Sequence, residues 1–234
     1  IYEMLGGLRH PDVVAYASGA DTEWYAEQGF VAHKLTHRWD AAQPPEPQFE
    51  ALEKRVASAR ETMGKDGTLM IDCYMSWDID VAREMGKRLA PYDILWFEDV
   101  ATPDDLTGQA SLRPHLKPIM LAGGEHEFTD HGFLQIAQSG ALDIWQPDVT
   151  WCGGMTSMLR IIELARQFEA IIIPHRGGEV WGLHLMASGK CTALAEVLPG
   201  QRQTSPVDLW LNETKPDAGV LTPNEAYGFG VEPN

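Results

Sequence analysis

Short runs of apolar, β-branched and aromatic residues recur along the 234-residue chain and predict β-strands. Between most of them lie longer segments whose apolar residues recur at helical spacing, as in 49–63 and 155–168. A strand followed by a helix, repeated with short connections, is typical of a parallel sheet with helical crossovers. The predicted strands are 13–17, 31–35, 69–74, 94–97, 119–121, 142–145, 171–173 and 194–198.

Two closures of this sheet fit the pattern, an open doubly wound sheet and a (β/α) barrel. Eight strands in about 200 residues suit a barrel, and their uninterrupted apolar character suits strands buried on both faces. No GxGxxG follows the first strand, so a dinucleotide-binding sheet loses its main support. We therefore predict an α/β fold with a TIM-like barrel over residues 1–198. The segment 199–234 is rich in proline and glycine, and we expect a tail that leaves the barrel.

Composition narrows the class of partner. A net charge of −16 argues against nucleic acid or an anionic membrane, because either would need a basic surface. The three cysteines are widely spaced and suit a reducing compartment. No apolar run approaches the roughly 20 residues that span a bilayer, and the first residues do not resemble a signal peptide. We expect a cytoplasmic homo-oligomer that binds a small molecule.

An ionisable residue stands at or just past the end of almost every predicted strand after the first. From the second of these residues onward the separations are 26, 27, 23, 27 and 21 residues, each about one strand-helix unit. A barrel gathers the C-terminal ends of its strands on one face, so these side chains should converge. A surface acid explains any single position, but not the shared period. The positions are Lys34, Asp72, Glu98, Glu125, Asp148, His175 and Glu196.

Three consecutive members of this series are carboxylic acids: Asp72, Glu98 and Glu125. Brought together, they would repel each other and take up protons unless a cation lay among them. Ligation by oxygen alone indicates a hard divalent ion, Mg²⁺ first and Mn²⁺ second, rather than zinc or copper. Asp148 and His175 come next in the series and have the composition of an acid–base pair.

Six ordered motifs, LMIDCYMSW, LWFED, AGGEH, DIWQPDVTWCGGM, IIIPH and YGFGVEPN, resemble the enolase superfamily in its mandelate-racemase-like branch. Within that branch they are similar to acid-sugar dehydratases of the L-rhamnonate dehydratase type. The resemblance covers most of the chain and implies a modified (β/α)7β barrel. It also implies an N-terminal α+β capping domain, which we expect to be absent from this chain and which the tail 199–234 would contact.

The resemblance further implies dehydration of an aldonate to a 2-keto-3-deoxy acid through an enediolate, with Mg²⁺ bound. His175 would act as base and then as acid. The implied site consists of the metal ligands Asp72, Glu98 and Glu125, the dyad Asp148 and His175, Glu196 bonded to the substrate carboxylate, and Lys34 as the first lysine of a Lys-x-Lys pair.

The second lysine of that pair is replaced by Thr36. Strand alternation places Thr36 on the face of Lys34 and turns His37 away, although a bulge after Lys34 would bring His37 inward. A racemase needs a base on each side of the carbon, so a single base, His175, favours elimination. A racemase, epimerase or cycloisomerase of the same superfamily stays the first alternative. A non-catalytic small-molecule-binding barrel is the second.

Several neighbouring residues have two interpretations each. Arg176 is a candidate for binding substrate or only a nearby acid, and Trp151 is a candidate pocket wall. Strand alternation allows one of Glu98 and Asp99 to face inward, and the resemblance selects Glu98. His126 either lines the pocket or caps a loop. Cys152 and His184 are expected to be structural.

Overall fold

The computed structural model describes residues 1–203 and 209–234. All eight predicted strands are present and alternate with helices, with two 3₁₀ turns at Tyr2–Leu5 and Ala90–Tyr92. The strands are β1 Val13–Gly19, β2 Ala32–Thr36, β3 Thr68–Asp72, β4 Ile94–Glu98, β5 Met120–Gly123, β6 Ile144–Trp145, β7 Ile171–Ile172 and β8 Leu194–Val197. The helices are α1 Thr22–Glu27, α2 Pro45–Met63, α3 Ile79–Leu89, α4 Leu106–Leu116, α5 Thr129–Ser139, α6 Gly154–Gln167 and α7 Val180–Ala187.

The eight strands pair in parallel and in chain order from β1 to β7, and β8 pairs with β1. A backbone hydrogen bond of 3.1 Å from the Thr192 N–H to the Ile172 carbonyl links the segments next to β8 and β7. The sheet is therefore curved so that its first and last strands meet, and the predicted barrel is confirmed. Every strand ends on the same face, where the series of ionisable residues lies.

Two apolar layers hold the strands in place. The outer layer forms between the sheet and the helices, and α2 contributes Phe49, Leu52, Val56 and Ala59 to it. The inner layer fills the barrel itself, which explains why the strands are apolar on both faces. Its members are Tyr16, Ala32, Met70, Trp96, Ala122, Ile144 and Ile173.

Two helices that follow site loops, α3 and α4, are capped by aspartates. The side chain of Asp78 accepts a 2.7 Å bond from the Val81 N–H at the start of α3, and Asp105 accepts one of 2.9 Å from Gly108 in α4. Each such cap stabilises a helix by about 1 kcal/mol. The caps therefore fix the residue at which each site loop ends and the next helix begins.

The C-terminal segment does not run clear of the barrel as expected. It contains β9 Trp210–Leu211, β10 Val220–Leu221 and β11 Glu232–Pro233. Strand β10 pairs antiparallel with β1, and Leu221 is fully buried there. The expectation of a departing tail is wrong for this part, whereas contact between the segment and another domain stays a prediction.

Among the described residues, no helix combines the length and apolarity required to span a membrane.

Candidate active site

A buried lysine occupies the centre of the convergent face. Lys34 from β2 is 1% exposed, and its Nζ lies 2.7 Å from Glu196 Oε1 and 4.0 Å from Asp72 Oδ2. It also forms an ion pair with Glu98 Oε1. Burial alone would lower the pKa of Lys34, but Glu196 and Glu98 outweigh it and raise that pKa well above its ordinary value. Lys34 is therefore a fixed positive charge.

Glu196 at the end of β8 is the most strongly ionised of these carboxylates. Burial would raise its pKa, but Lys34 and His175 hold the pKa of Glu196 at about 2. Its second oxygen, Oε2, accepts a 2.8 Å hydrogen bond from the backbone N–H of Arg176. Glu196 thus connects the lysine on β2 to the loop after β7.

The predicted dyad is formed. His175 Nδ1 lies 2.8 Å from Asp148 Oδ2, and Asp148 Oδ1 accepts bonds from the Thr150 N–H at 2.7 Å and the Trp151 N–H at 3.2 Å. A carboxylate only accepts, so Nδ1 carries the proton and Nε2 is the reactive nitrogen. His175 Nε2 points toward Glu125 Oε2 at 3.6 Å. The arrangement is that of a base oriented by an acid.

Electrostatics support this division of roles. Burial would raise the pKa of Asp148, but hydrogen bonds from His175 and Thr150 lower it to about 2. Burial would lower the pKa of His175, but Asp148 and the carboxylates of Glu196 and Glu125 raise it to about 9. Asp148 therefore stays ionised, and its charge stabilises the protonated form of His175.

The three predicted metal ligands lie around the lysine and the dyad. Burial, with the nearby Glu98, raises the pKa of Asp72 to about 7 although Lys34 opposes the shift. Burial also raises the pKa of Glu125 to about 7, with His175 opposing. These carboxylates are crowded and incompletely compensated, as the sequence predicts for a group that needs a cation.

Among the described residues, Glu125 alone of the three predicted ligands belongs to a group of side chains whose ligand atoms lie close enough together to share a metal ion. Ligand atoms of Asp99, Glu125 and His126 lie within 4.8 Å of one another, and His126 Nε2 is 3.3 Å from Asp99 Oδ2. Glu98 and Asp99 are both buried, so the argument that alternation admits only one of them fails here. The reason is local: Asp99 lies just past β4 with φ of 44°, which breaks the strand geometry.

Residues with left-handed backbone follow the functional strand ends. Tyr74 and Met75 come just after Asp72 with φ of 51° and 55°, and Arg176 follows His175 with φ of 52°. Non-glycine residues adopt this conformation at a cost, which the surrounding structure must offset. The turns redirect the chain directly after each functional side chain, so that side chain stays at the mouth of the barrel.

The structure resolves the question raised by His37. The indole Nε1–H of Trp77 donates to His37 Nδ1 at 3.1 Å, and an indole N–H can only donate. Nδ1 is therefore an acceptor, and the proton of neutral His37 is on Nε2. Burial, together with Arg55, lowers the pKa of His37 to about 4. His37 is held as a neutral side chain by residues outside the lysine–carboxylate cluster, and it offers no second base.

Two of the four predicted substrate-binding side chains, Arg176 and Trp151, lie beside the dyad. The Arg176 guanidinium is paired with Glu179 at 2.6 Å, so its nearby acid is identified. The Trp151 ring is 44% exposed and lies 5.8 Å from the His175 ring, but it is not among the residues that line the cavity beside the dyad. The described residues leave a cavity of about 650 Å³ beside the dyad. Its lining includes His175, Arg176, Trp24, Trp181 and Trp210.

Two residues expected to be structural are so. Cys152 is buried, and burial raises the pKa of its thiol to about 11, which removes it as a nucleophile. His184 is buried between the first and last segments of the chain, where its Nδ1 accepts from the Tyr2 N–H at 3.3 Å and its Nε2 donates to the Phe229 carbonyl at 3.2 Å. Both of its nitrogens are occupied.

The sequence reasoning overlooked two donors to Glu98. Gln146 Nε2 and Trp96 Nε1 donate to Glu98 Oε2 at 2.7 and 2.9 Å. Strand alternation could have identified Gln146, because it is two residues past Ile144, whose side chain is in the inner layer of the barrel. A polar side chain inside an apolar barrel needs a partner, and Glu98 is that partner.

Comparison with known proteins identifies the family. Residues 17–234 match the sequence profile described as Enolase C-terminal domain-like. The chain belongs to this family. Over its whole length it is 35% identical to an L-rhamnonate dehydratase from Saccharopolyspora erythraea, of which it spans 61%. The resemblance inferred from the motifs is thus confirmed at the level of the family.

Solved structures of similar fold lead to the same family. A crystal structure of rhamnonate dehydratase from Gibberella zeae complexed with Mg matches the whole chain with a TM-score of 0.86 and 28% identity, and the chain covers 59% of it. A 3,6-anhydro-D-galactonate cycloisomerase from Zobellia galactanivorans matches with a TM-score of 0.86 and 27% identity, at 67% coverage of that protein. Members of one fold therefore bear names of different reactions.

Proposed function

We propose that the protein is a Mg²⁺-dependent dehydratase of sugar acids, which converts an aldonate such as L-rhamnonate to a 2-keto-3-deoxy acid. The observation that carries the proposal is the Asp148–His175 dyad, with its 2.8 Å hydrogen bond, facing a group of buried carboxylates. The relative named L-rhamnonate dehydratase supports the substrate class. The single base supports loss of water over inversion of the carbon.

The residues present fit a bound Mg²⁺. Asp72, Glu98 and Glu125 offer only oxygen ligands, and two of them have pKa values raised to about 7 by burial and crowding. A divalent cation among them would favour their ionised forms. When bound, Mg²⁺ would act as a Lewis acid on the substrate carboxylate and stabilise charge that develops there. Asp99 and His126 have ligand atoms within 4.8 Å of those of Glu125 and could bind the same ion.

The dyad supplies the proton transfers. The neutral form of His175 removes, through Nε2, the proton from the carbon next to the substrate carboxylate, and Asp148 stabilises the imidazolium that forms. The same imidazolium then protonates the departing 3-hydroxyl, so the C3–O bond breaks and water leaves. The resulting enol tautomerises to the 2-keto-3-deoxy acid. One histidine serves both transfers when the proton at C2 and the 3-hydroxyl lie on the same side of the substrate, facing His175.

Lys34 and Glu196 form a buried ion pair within the site. The Lys34 ammonium provides positive charge for an anionic substrate in a chain of net charge −16. Glu196 fixes that ammonium at 2.7 Å. Its Oε1 is paired with Lys34 and its Oε2 accepts from the Arg176 N–H, while the hydrogen bond to a substrate carboxylate that the resemblance implies stays a prediction. We propose that it acts by aligning Lys34.

The test is a screen of the protein against a library of aldonates with Mg²⁺, scored for 2-keto-3-deoxy products. The proposal predicts turnover of at least one aldonate, loss of that turnover in EDTA and recovery on adding Mg²⁺. Turnover that is insensitive to EDTA would contradict the metal. Tight binding of an aldonate without any product would instead indicate a non-catalytic binding barrel.

A further inference from the structure

The two oxygens of Glu98 lie in different surroundings. Oε1 faces the site and is paired with Lys34, whereas Oε2 accepts from Gln146 Nε2 at 2.7 Å and from Trp96 Nε1 at 2.9 Å. Glu98, Gln146 and Trp96 are each at most 1% exposed. Two N–H donors thus hold one oxygen, and the carboxylate cannot rotate without breaking both bonds.

In this arrangement the other polar atom of the Gln146 amide, its buried oxygen Oε1, has no hydrogen-bond partner among the described residues. Burying a polar atom without a partner is unfavourable, and an apolar side chain of similar size would avoid that cost. The amide cannot be flipped to relieve it, because its oxygen would then face the Glu98 carboxylate. The retained amide is explained by what its nitrogen donates to.

Trp96 reaches Glu98 from the same strand. Both residues belong to β4 two positions apart, so their side chains share the inner face of the barrel. The indole packs edge to face on Tyr16, with ring centroids 5.6 Å apart, and this contact fixes its orientation. Gln146 follows β6, which is separated from β4 by one strand, β5. The two donors therefore come from different strands, and their positions do not depend on each other.

We propose that Gln146 is a positioning residue, which with Trp96 anchors Oε2 of Glu98 so that Oε1 is presented to the site. The role of Gln146 in presenting a ligand oxygen to Mg²⁺ rests on the proposed function. The hydrogen bonds to Glu98 themselves do not depend on a bound metal. Residues that hydrogen-bond to a ligating carboxylate commonly set metal affinity. Gln146 would do so without touching metal or substrate.

The first test measures Mg²⁺ binding by calorimetry in the absence of substrate. Gln146→Met keeps the volume and removes the donor, and we expect Mg²⁺ affinity to fall about 10–100-fold. Gln109→Met is the matched control, because Gln109 is also buried but its amide nitrogen donates, among the described residues, to the Thr102 carbonyl in the loop before α4, at 3.4 Å, and not to a site carboxylate. Equal affinity in Gln146→Met and Gln109→Met would overturn the proposal.

A second test decides the contact without metal. In NMR spectra of the metal-free protein, Glu98→Gln should shift the side-chain amide signals of Gln146 and the indole N–H signal of Trp96. Asp66→Asn, at an exposed position that pairs only with Lys65 among the described residues, should leave them in place. Unmoved signals in Glu98→Gln would overturn the Gln146 assignment. Failure of the unsubstituted protein to bind Mg²⁺ would overturn the proposed function, while the NMR result would still decide the contact.

Discussion

At the scale of single residues, the chemistry depends on which nitrogen of each histidine is occupied. His175 uses Nδ1 to bond Asp148 and leaves Nε2 toward the site, whereas His37 uses Nδ1 to accept from Trp77. The period of strand ends was enough to predict His175, Asp148 and Lys34. It could not predict that Asp99 is buried beside Glu98, because this depends on one left-handed residue.

We expect His175→Asn to lower kcat by a factor of about 10² to 10⁴, the usual contribution of a general acid–base group. Asparagine cannot take up the proton, although it still fits the space beside Asp148. Steady-state rates with the aldonate found in the screen give the measurement, and His131→Asn, on the exposed surface of α5, is the control. A variant with near wild-type kcat would remove His175 from the mechanism.

His37→Phe should leave kcat within a few fold of wild type, because Nδ1 of His37 is already an acceptor for Trp77. The loss of that bond leaves the buried indole N–H without its partner and should lower the free energy of unfolding by about 1–3 kcal/mol. Kinetics and urea unfolding measure the two effects separately. A fall in kcat as large as that of His175→Asn would mean that His37 is a second base.

At the scale of elements, the hydrophobic pattern was sufficient for the barrel because each strand is apolar on both faces and each helix on one. It was insufficient for β10, a two-residue strand in a segment of prolines and glycines whose place is set by pairing with β1. The hydrophobic pattern also does not predict the polar contacts between neighbouring elements. Asp143, just before β6, bonds Arg113 Nε and Lys117 Nζ at 2.7 Å each and the Leu121 N–H at 3.0 Å.

Asp143→Asn should destabilise the protein at pH 7 by about 1–3 kcal/mol. Burial would raise the pKa of Asp143, but Lys117, the Leu121 N–H and Arg113 outweigh it and lower that pKa in the folded state. A lowered folded pKa gives stability that is present above the unfolded value of about 3.9 and is lost as pH falls through the folded value.

Urea unfolding at pH 7 and pH 3 measures this effect. The difference in stability between wild type and Asp143→Asn should shrink at the lower pH. Asp66→Asn is the control, because Asp66 is exposed and pairs only with its neighbour Lys65 at 3.0 Å. A difference that does not change with pH would show that the carboxylate charge of Asp143 does not stabilise the fold.

At the scale of the whole molecule, the barrel gathers acids that stand more than twenty residues apart into one charged site. The charge of −16 predicted a small partner but not its identity, because specificity depends on side chains around the cavity and not on the total charge. The chain spans 61% of the curated dehydratase that it matches. The proposed substrate class, and the choice among aldonates within it, are therefore properties to be measured on the protein itself.

The most direct test of the central claim follows an aldonate by NMR in D₂O with Mg²⁺. A single base that eliminates water predicts a 2-keto-3-deoxy acid with deuterium at C3, and no substrate inverted at C2. Accumulation of the C2 epimer, or of a cyclised isomer formed without loss of water, would contradict the account.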